Sequence, residues 1–337
     1  MFLKLQFVKK KFFLKDSFRI SRDSKKFIKT IIIKLTKSNR SGFSECVPYK
    51  RYGENQKKIF TYLKNNKYKI IQLIKQNRFE KIKYLSLRNA LELAFKHLNI
   101  KNNNKYYLKK KYITSITIPI FNQKKLEKII HKFRDVNFIK VKVNKNNILK
   151  TIKFISEKCP KSKIIVDANE GLNLILLKKI IKNLEKLNVI IIEQPFKYGL
   201  DYQLKNIKTK ILFCADESFH IKNKNKNKIL KYYQVVNIKL DKFGGLDKSL
   251  EIIKFLKRKN KIILLGCMVS SSLSIVPALT IAKYCKFLDL DGAYFLKKDF
   301  KNGISYKKGN LILNKNFIWL NKKGPQENLE GLFKKIN

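Results

Sequence analysis

The sequence predicts an α/β protein built on a (β/α)8 barrel of the TIM type, with an α+β unit in front of it. Three observations predict this. From about residue 112 onward eight short runs rich in Ile, Val and Leu recur: YITSITIPI, FIKVKV, KIIVDAN, VIIIEQP, ILFCADES, VVNIKL, KIILLGC and FLDLDGA. The intervals between them have the length of a helix. Charged residues interrupt several of the runs near their C-terminal ends. Eight alternations of strand and helix describe a closed barrel, and an open doubly wound sheet is the structural alternative that the alternation leaves standing.

Taken in order, residues 1–111 read as strands (KLQFVKKKFF, FIKTIIIKLTK), a polar turn at SNRSG and helical segments that include SLRNALELAFKHL. Residues 112–311 form the barrel. Between its strands, segments such as NLILLKKIIKNLEKLN and DKSLEIIKFLKRKNK repeat apolar residues at three- and four-residue spacing, the pattern of amphipathic helices. Residues 312–337 lie past the eighth strand and are expected to return to the N-terminal unit. The Asn-rich stretches 101–104 and 221–227 read as solvated loops.

Composition excludes more than it identifies. The chain of 337 residues carries 77 Lys plus Arg against 24 Asp plus Glu, a net charge of +53. Such an excess ordinarily points to nucleic acid or anionic lipid. Here the lysines are spread along the whole chain among Asn, Ile, Phe and Tyr, which is the mark of a coding bias, so no specific nucleic-acid partner is expected. Five scattered cysteines without a C-x-x-C pair indicate neither a disulfide framework nor a zinc site and fit a cytoplasmic protein. Lysines break every N-terminal apolar run, and no stretch approaches the ~20 apolar residues of a membrane span.

The chemistry lies in the strand ends. Side chains alternate along a barrel strand, so in FIKVKV the residues Ile139, Val141 and Val143 face the helices while Lys140 and Lys142 face the interior. The same parity turns Asp167, Asn169, Glu193, Asp216 and Lys239 inward. Positions 142, 167, 193, 216 and 239 are 25, 26, 23 and 23 residues apart by subtraction, one β/α unit each time. Barrel active sites are built at this C-terminal end. Any single Asp or Lys there is as readily a solvated loop residue or a structural ion pair; five in register are not. Three crowded carboxylates repel unless a cation neutralises them, and an all-oxygen set suits Mg2+.

The motifs K-x-K, D-x-N, E-Q-P, A-D-E-S and N-I-K together resemble the enolase superfamily, in its muconate-lactonising branch. FRISR and ECVPYKRYGE are similar to the loops of that family's N-terminal capping domain, and LRNALELAF to its capping helix. GCMVSSSLSI followed by DLDG is most similar to the dipeptide epimerases acting on L-Ala-D/L-Glu. The resemblance implies a capping domain completed by the C-terminal segment, Asp167, Glu193 and Asp216 as Mg2+ ligands, and Lys142 and Lys239 as the acid/base pair. It also implies substrate contacts from Lys140, Thr117, Asp289, Asp291 and Arg22, with Asp289 and Asp291 holding a dipeptide's ammonium. An Asp before Gly at a strand end is otherwise a plain turn. Asp241 departs from the pattern, where the family more often has an apolar residue.

The activity implied is epimerisation by 1,1-proton transfer through an enediolate, in murein peptide metabolism, with a small dipeptide as partner and a homo-oligomer left open. Crowding by the metal and by neighbouring ammonium groups is expected to depress the lysine pKa values so that one amine is neutral. o-Succinylbenzoate synthase, a dehydratase on the same template, is the alternative, and a basic nucleic-acid-binding protein without catalysis is the third reading.

Overall fold

The computed structural model describes residues 2–20, 23–100, 108–220, 226–320 and 327–333. The N-terminal unit is an antiparallel sheet of β1 (Leu3–Ile20), β2 (Asp23–Lys37) and β3 (Arg40–Cys46), covered by α1 (Gln56–Asn65), α2 (Lys67–Lys75) and α3 (Leu85–Asn99). Alternation decides its layers. Leu3, Leu5, Ile31, Ile33 and Leu35 pack under Ile59, Leu63, Ile70 and Leu91, while Lys4 is left to solvent and Ile32 packs into the core on the sheet's other face. Gly42 in β3 lets α3 approach: a Cβ there would come within 2.1 Å of Ala94 O.

After a short strand β4 (Lys111–Ile113), eight parallel strands follow in sequence order: β5 (Ser115–Ile118), β6 (Phe138–Lys142), β7 (Lys163–Asp167), β8 (Val189–Glu193), β9 (Leu212–Ala215), β10 (Val235–Ile238), β11 (Ile262–Gly266) and β12 (Phe287–Asp289). The helices between them are α4 (Gln123–Ile129), α5 (Ile148–Lys158), α6 (Leu174–Glu185), α7 (Lys226–Leu230), the short α8 (Leu240–Phe243), α9 (Leu246–Arg258) and α10 (Ser272–Ala278); α5, α6 and α9 bury one face, whereas α8 and α10 are buried at every residue. Asn122 and Asn173 cap α4 and α6 by accepting from Lys125 N and Leu176 N, so part of the asparagine excess serves as helix start signals.

β12 closes on β5 partly through side chains. Thr114 Oγ1 donates to Leu288 O (3.2 Å) and accepts from Leu290 N (2.8 Å), and Ser115 Oγ donates to Asp289 Oδ1 at 2.6 Å. This explains why YITSITIPI is not the single strand expected. It divides at Thr114, and β4 instead joins an antiparallel sheet with β14 (Asn310–Ile312), itself paired to β13 (Ser305–Lys307). Residues 101–104 and 221–225 lie outside the described residues. Residues 226–227 open α7 rather than belonging to a loop.

The C-terminal segment meets the N-terminal unit where it is described. Trp319 Nε1 donates to Phe43 O at 3.1 Å, and Glu330, in α11 (Glu327–Glu330), pairs with Lys34.

Candidate active site

An apolar floor inside the barrel, made of Ile165, Ile191, Cys214, Val235 and Leu264, lies beneath the charged layer. Two residues beyond the first three of these come Asp167, Glu193 and Asp216. The alternation that packs the floor therefore also lifts the carboxylates into the mouth. Lys140 and Lys142 end β6, and Lys239 follows β10 directly.

Asp167 and Glu193 each have one oxygen tied back by an N–H of the scaffold and the other turned to a lysine, whereas Asp216 has a lysine on each oxygen. Asp167 Oδ1 accepts from Asn169 N at 3.0 Å, while its Oδ2 meets Lys142 Nζ and, at 2.9 Å, Lys140 Nζ. Glu193 Oε1 accepts from Asn237 Nδ2 at 2.8 Å and its Oε2 lies 2.8 Å from Lys140 Nζ. Asp216 Oδ1 accepts from Lys242 Nζ at 2.8 Å and its Oδ2 from Lys239 Nζ at 2.7 Å. Lys140, almost wholly buried, reaches Asp289 Oδ2 as well, at 2.7 Å.

Burial opposes every one of these charges, and the partners decide the outcome. Burial pushes Asp167 and Asp216 up, but Lys140 with Lys142, and Lys239 with Lys242, outweigh it and hold both carboxyls below the usual range. Burial pulls Lys140 and Lys239 down, yet the carboxylates around them outweigh it and raise both ammoniums above the usual lysine value. At these two lysines carboxylate pairing exceeds both burial and like-charge crowding. Glu193 goes the other way, pushed up to about 7 by burial and then by the charge of Asp167.

A lysine that acts as a base must first be released from its carboxylate, which requires another cation in its place. The donor set fits a hard divalent cation, with three carboxylates on adjacent strands, each keeping one oxygen on the lysine side. With the carboxylates closed on lysines, no three His, Cys, Asp or Glu residues among those described are grouped to hold a metal ion.

Above this layer lies a cavity of about 890 Å³, lined from the barrel by Thr117, Lys140, Lys142, Asn169, Lys239, Asp289 and Asp291 and from the N-terminal unit by Lys25, Lys29, Tyr49 and Lys50. Asp167 and Glu193 sit behind Lys140. Arg22 lies outside the described residues. Asp289 ends β12, but Asp291 stands past the strand rather than on it, at the start of a 3-10 turn over Gly292–Phe295. Its Oδ2 accepts from Thr117 N at 2.6 Å, and burial, then Asp289, push it up to about 7. A bidentate Arg51–Glu170 ion pair and a tilted Tyr52–His220 ring contact, with centroids 4.3 Å apart, hold the segment after β3 against the barrel.

Sequence reasoning missed Lys242, Asn237 and Ser115. Lys242 left a signal: in NIKLDK it follows Lys239 by three residues, so one helical turn sets both ammoniums on the same side. Asp241 adds no charge to the ring, because it is buried at the junction with α3, accepts from Asn89 Nδ2 at 3.0 Å and is pushed up to about 8 by burial.

A family model described as "Enolase C-terminal domain-like" matches residues 127–315. The chain belongs to the enolase superfamily. This superfamily member is 34% identical to an N-acetyl-D-glutamate racemase from Pseudoalteromonas sp, over 90% of its own length and 98% of the relative's. It is 28% identical to the L-Ala-D/L-Glu epimerase of Escherichia coli K12, over 89% and 96% of the two chains. Among solved structures it is similar to an enolase family member from Agrobacterium tumefaciens with homology to dipeptide epimerases, holding sodium and L-Ala-L-Glu. That match has a TM-score of 0.86 and 27% identity, covering 92% of this chain and 98% of the other. Racemases and epimerases are isomerases, and this superfamily member is an enzyme of that class. No helix among its described residues is long and apolar enough to cross a membrane.

Proposed function

We propose that the protein is a Mg2+-dependent dipeptide epimerase of the L-Ala-D/L-Glu type, working by 1,1-proton transfer between Lys142 and Lys239. The placement of these two lysines carries the reading. β6 and β10 are four strands apart in a barrel of eight, hence on opposite sides, and the strands between them present Asp167, Glu193 and Asp216. A carbon held over the carboxylates is within reach of an amine on each face. One lysine, neutral, takes the α-proton; the other, protonated, returns a proton to the opposite face and inverts the centre. Lys140 sits between them and offsets repulsion between the ring and a substrate carboxylate. Held by Asp167, Glu193 and Asp216, Mg2+ would supply fixed positive charge to balance the charge that develops as the proton leaves. Lys25, Lys29 and Lys50 on the capping side suit a second carboxylate such as a glutamyl side chain.

A second reading, racemisation of an N-acylated amino acid by the same proton transfer, is favoured by one observation. Both oxygens of Asp289 are engaged, by Ser115 and Lys140, which leaves Asp291 to meet the substrate nitrogen. A carboxyl pushed up to about 7 there suits an amide carbonyl as well as an ammonium.

The test is incubation with Mg2+ in D2O of L-Ala-L-Glu, L-Ala-D-Glu, both N-acetylglutamate enantiomers and the o-succinylbenzoate precursor, read by chiral chromatography and mass. Dipeptide inversion with α-deuteration, at least about tenfold faster than N-acetylglutamate, supports the epimerase; such a factor is about 1.4 kcal/mol of discrimination. The reverse order moves the assignment to the racemase. Dehydration of the precursor without α-deuteration of any other compound overturns both.

A further inference from the structure

We infer that Lys242 is a positioning residue of this site, fixing the Asp216 carboxylate so that its Oδ2 is presented to the ring beside Lys239. The inference rests on the proton-transfer reading above. Lys242 is fully buried on α8, one turn beyond Lys239, and its side chain runs beneath the ring rather than into the cavity.

Its Nζ has three acceptors within reach: Asp216 Oδ1 at 2.8 Å, Asp216 O at 3.0 Å and Asn237 O at 2.6 Å. An ammonium has three protons, so this one is fully engaged and has none left to give a substrate. It grips Asp216 at both backbone and carboxylate, which removes the freedom of that side chain to rotate. It also grips the backbone of Asn237, whose amide orients Glu193 at 2.8 Å. One buried cation thus indexes two of the three carboxylates to each other. Lys239 in turn takes its place from the Asp216 oxygen that Lys242 leaves over, at 2.7 Å. Lys142, on the opposite side of the barrel, has no contact with Lys242. The consequence is lopsided: losing Lys242 loosens Asp216, which the two faces share, and in addition displaces Lys239, which serves one face alone.

The variant is Lys242→Met, which keeps much of the side chain's bulk and removes the donors. Wild-type α-proton exchange in D2O is measured first from each substrate epimer, and its absence from both would sink the proton-transfer reading rather than this inference. With wild-type exchange in hand, the variant should lose about 10- to 100-fold for the epimer whose proton faces Lys239, the usual cost of removing a group that orients a ligand. Exchange from the other epimer should fall by a factor at least about three times smaller. Equal losses on both faces, the signature of a merely structural lysine, overturn the inference, and so does no loss. A crystal structure of the metal-free variant gives a readout apart from activity: Asp216 should rotate and the Lys239–Asp216 Oδ2 contact should lengthen, whereas an unmoved carboxylate counts against the proposal. If Lys242→Met does not fold, Lys242→Gln, which keeps one donor for Asn237 O, is measured in the same way. Failure of both to fold makes Lys242 a folding residue and overturns the assignment.

Discussion

Gly266→Ala tests how tightly the ring is held. Gly266 ends β11, next to the strand that carries Asn237 and Lys239. A Cβ at 266 would stand 2.4 Å from Asn237 Oδ1, 3.0 Å from its Nδ2 and 3.0 Å from Lys239 Cε. Ordinary contact begins near 3.4 Å, so Asn237 must give by about 1 Å and Lys239 by a few tenths of that. Asn237 cannot retreat freely, since its side-chain Nδ2 holds Glu193 at 2.8 Å and its main-chain carbonyl is fixed by Lys242 at 2.6 Å. A displacement of this size at a proton-transfer site costs on the order of 100-fold in rate. Overpacking by one methyl in a filled interior should cost about 1–3 kcal/mol of stability. The assay is kcat/KM for epimerisation by polarimetry, with thermal unfolding in parallel. Ile252→Val on α9, far from the cavity and expected to cost about 0.5–1.5 kcal/mol, controls for instability alone. If Gly266→Ala retains activity within about threefold of wild type, or loses no more than the Ile252→Val control, the reasoning that Gly266 is required by its neighbours is refuted.

Lys142→Ala and Lys239→Ala should each abolish inversion, because the two faces need separate bases, while exchange survives for one epimer in each; near-wild-type inversion by either variant would show the pair to be misassigned. Excess EDTA should stop turnover and Mg2+ restore it, and Glu193→Gln should weaken Mg2+ binding by calorimetry while leaving the far-UV spectrum unchanged; full activity in EDTA refutes the metal. A pH effect follows from the carboxyls joining the capping domain to the barrel. Glu45, accepting from Ser271 N at 2.9 Å, and Glu92, accepting from Asp247 N at 3.0 Å, are each pushed by burial from 4.5 up to about 7, and Asp241 from 3.8 up to about 8. A raised folded-state pKa means that the fold binds the proton more tightly, so this contribution is full below about pH 4 and is lost as pH rises through 7 and 8. The fall in Tm between pH 6 and 9 should therefore shrink in Asp241→Asn and Glu45→Gln; an unchanged difference in both would contradict it.

The barrel, the five charged strand ends and their facing were legible in the sequence because they follow from a local rule. Alternation along a strand has a period of two, and the β/α unit repeats at a nearly constant length, so parity and spacing place Lys142, Asp167, Glu193, Asp216 and Lys239 on one ring without knowledge of any contact. What each of those groups touches was decided only by the tertiary structure. Asp289 is drawn to Lys140 across 149 residues of chain, Asp291 leaves its strand to take Thr117 N across 174, and Asp241 is neutralised by burial against Asn89 across 152. The choice of which carboxylate oxygen is tied back and which is offered depends on Asn237 and Lys242, whose roles no periodicity announces. Pairing of this kind is set by the packing of side chains from strands brought together by barrel closure, and by how completely that packing excludes water. Neither is encoded in the spacing of residues along the chain.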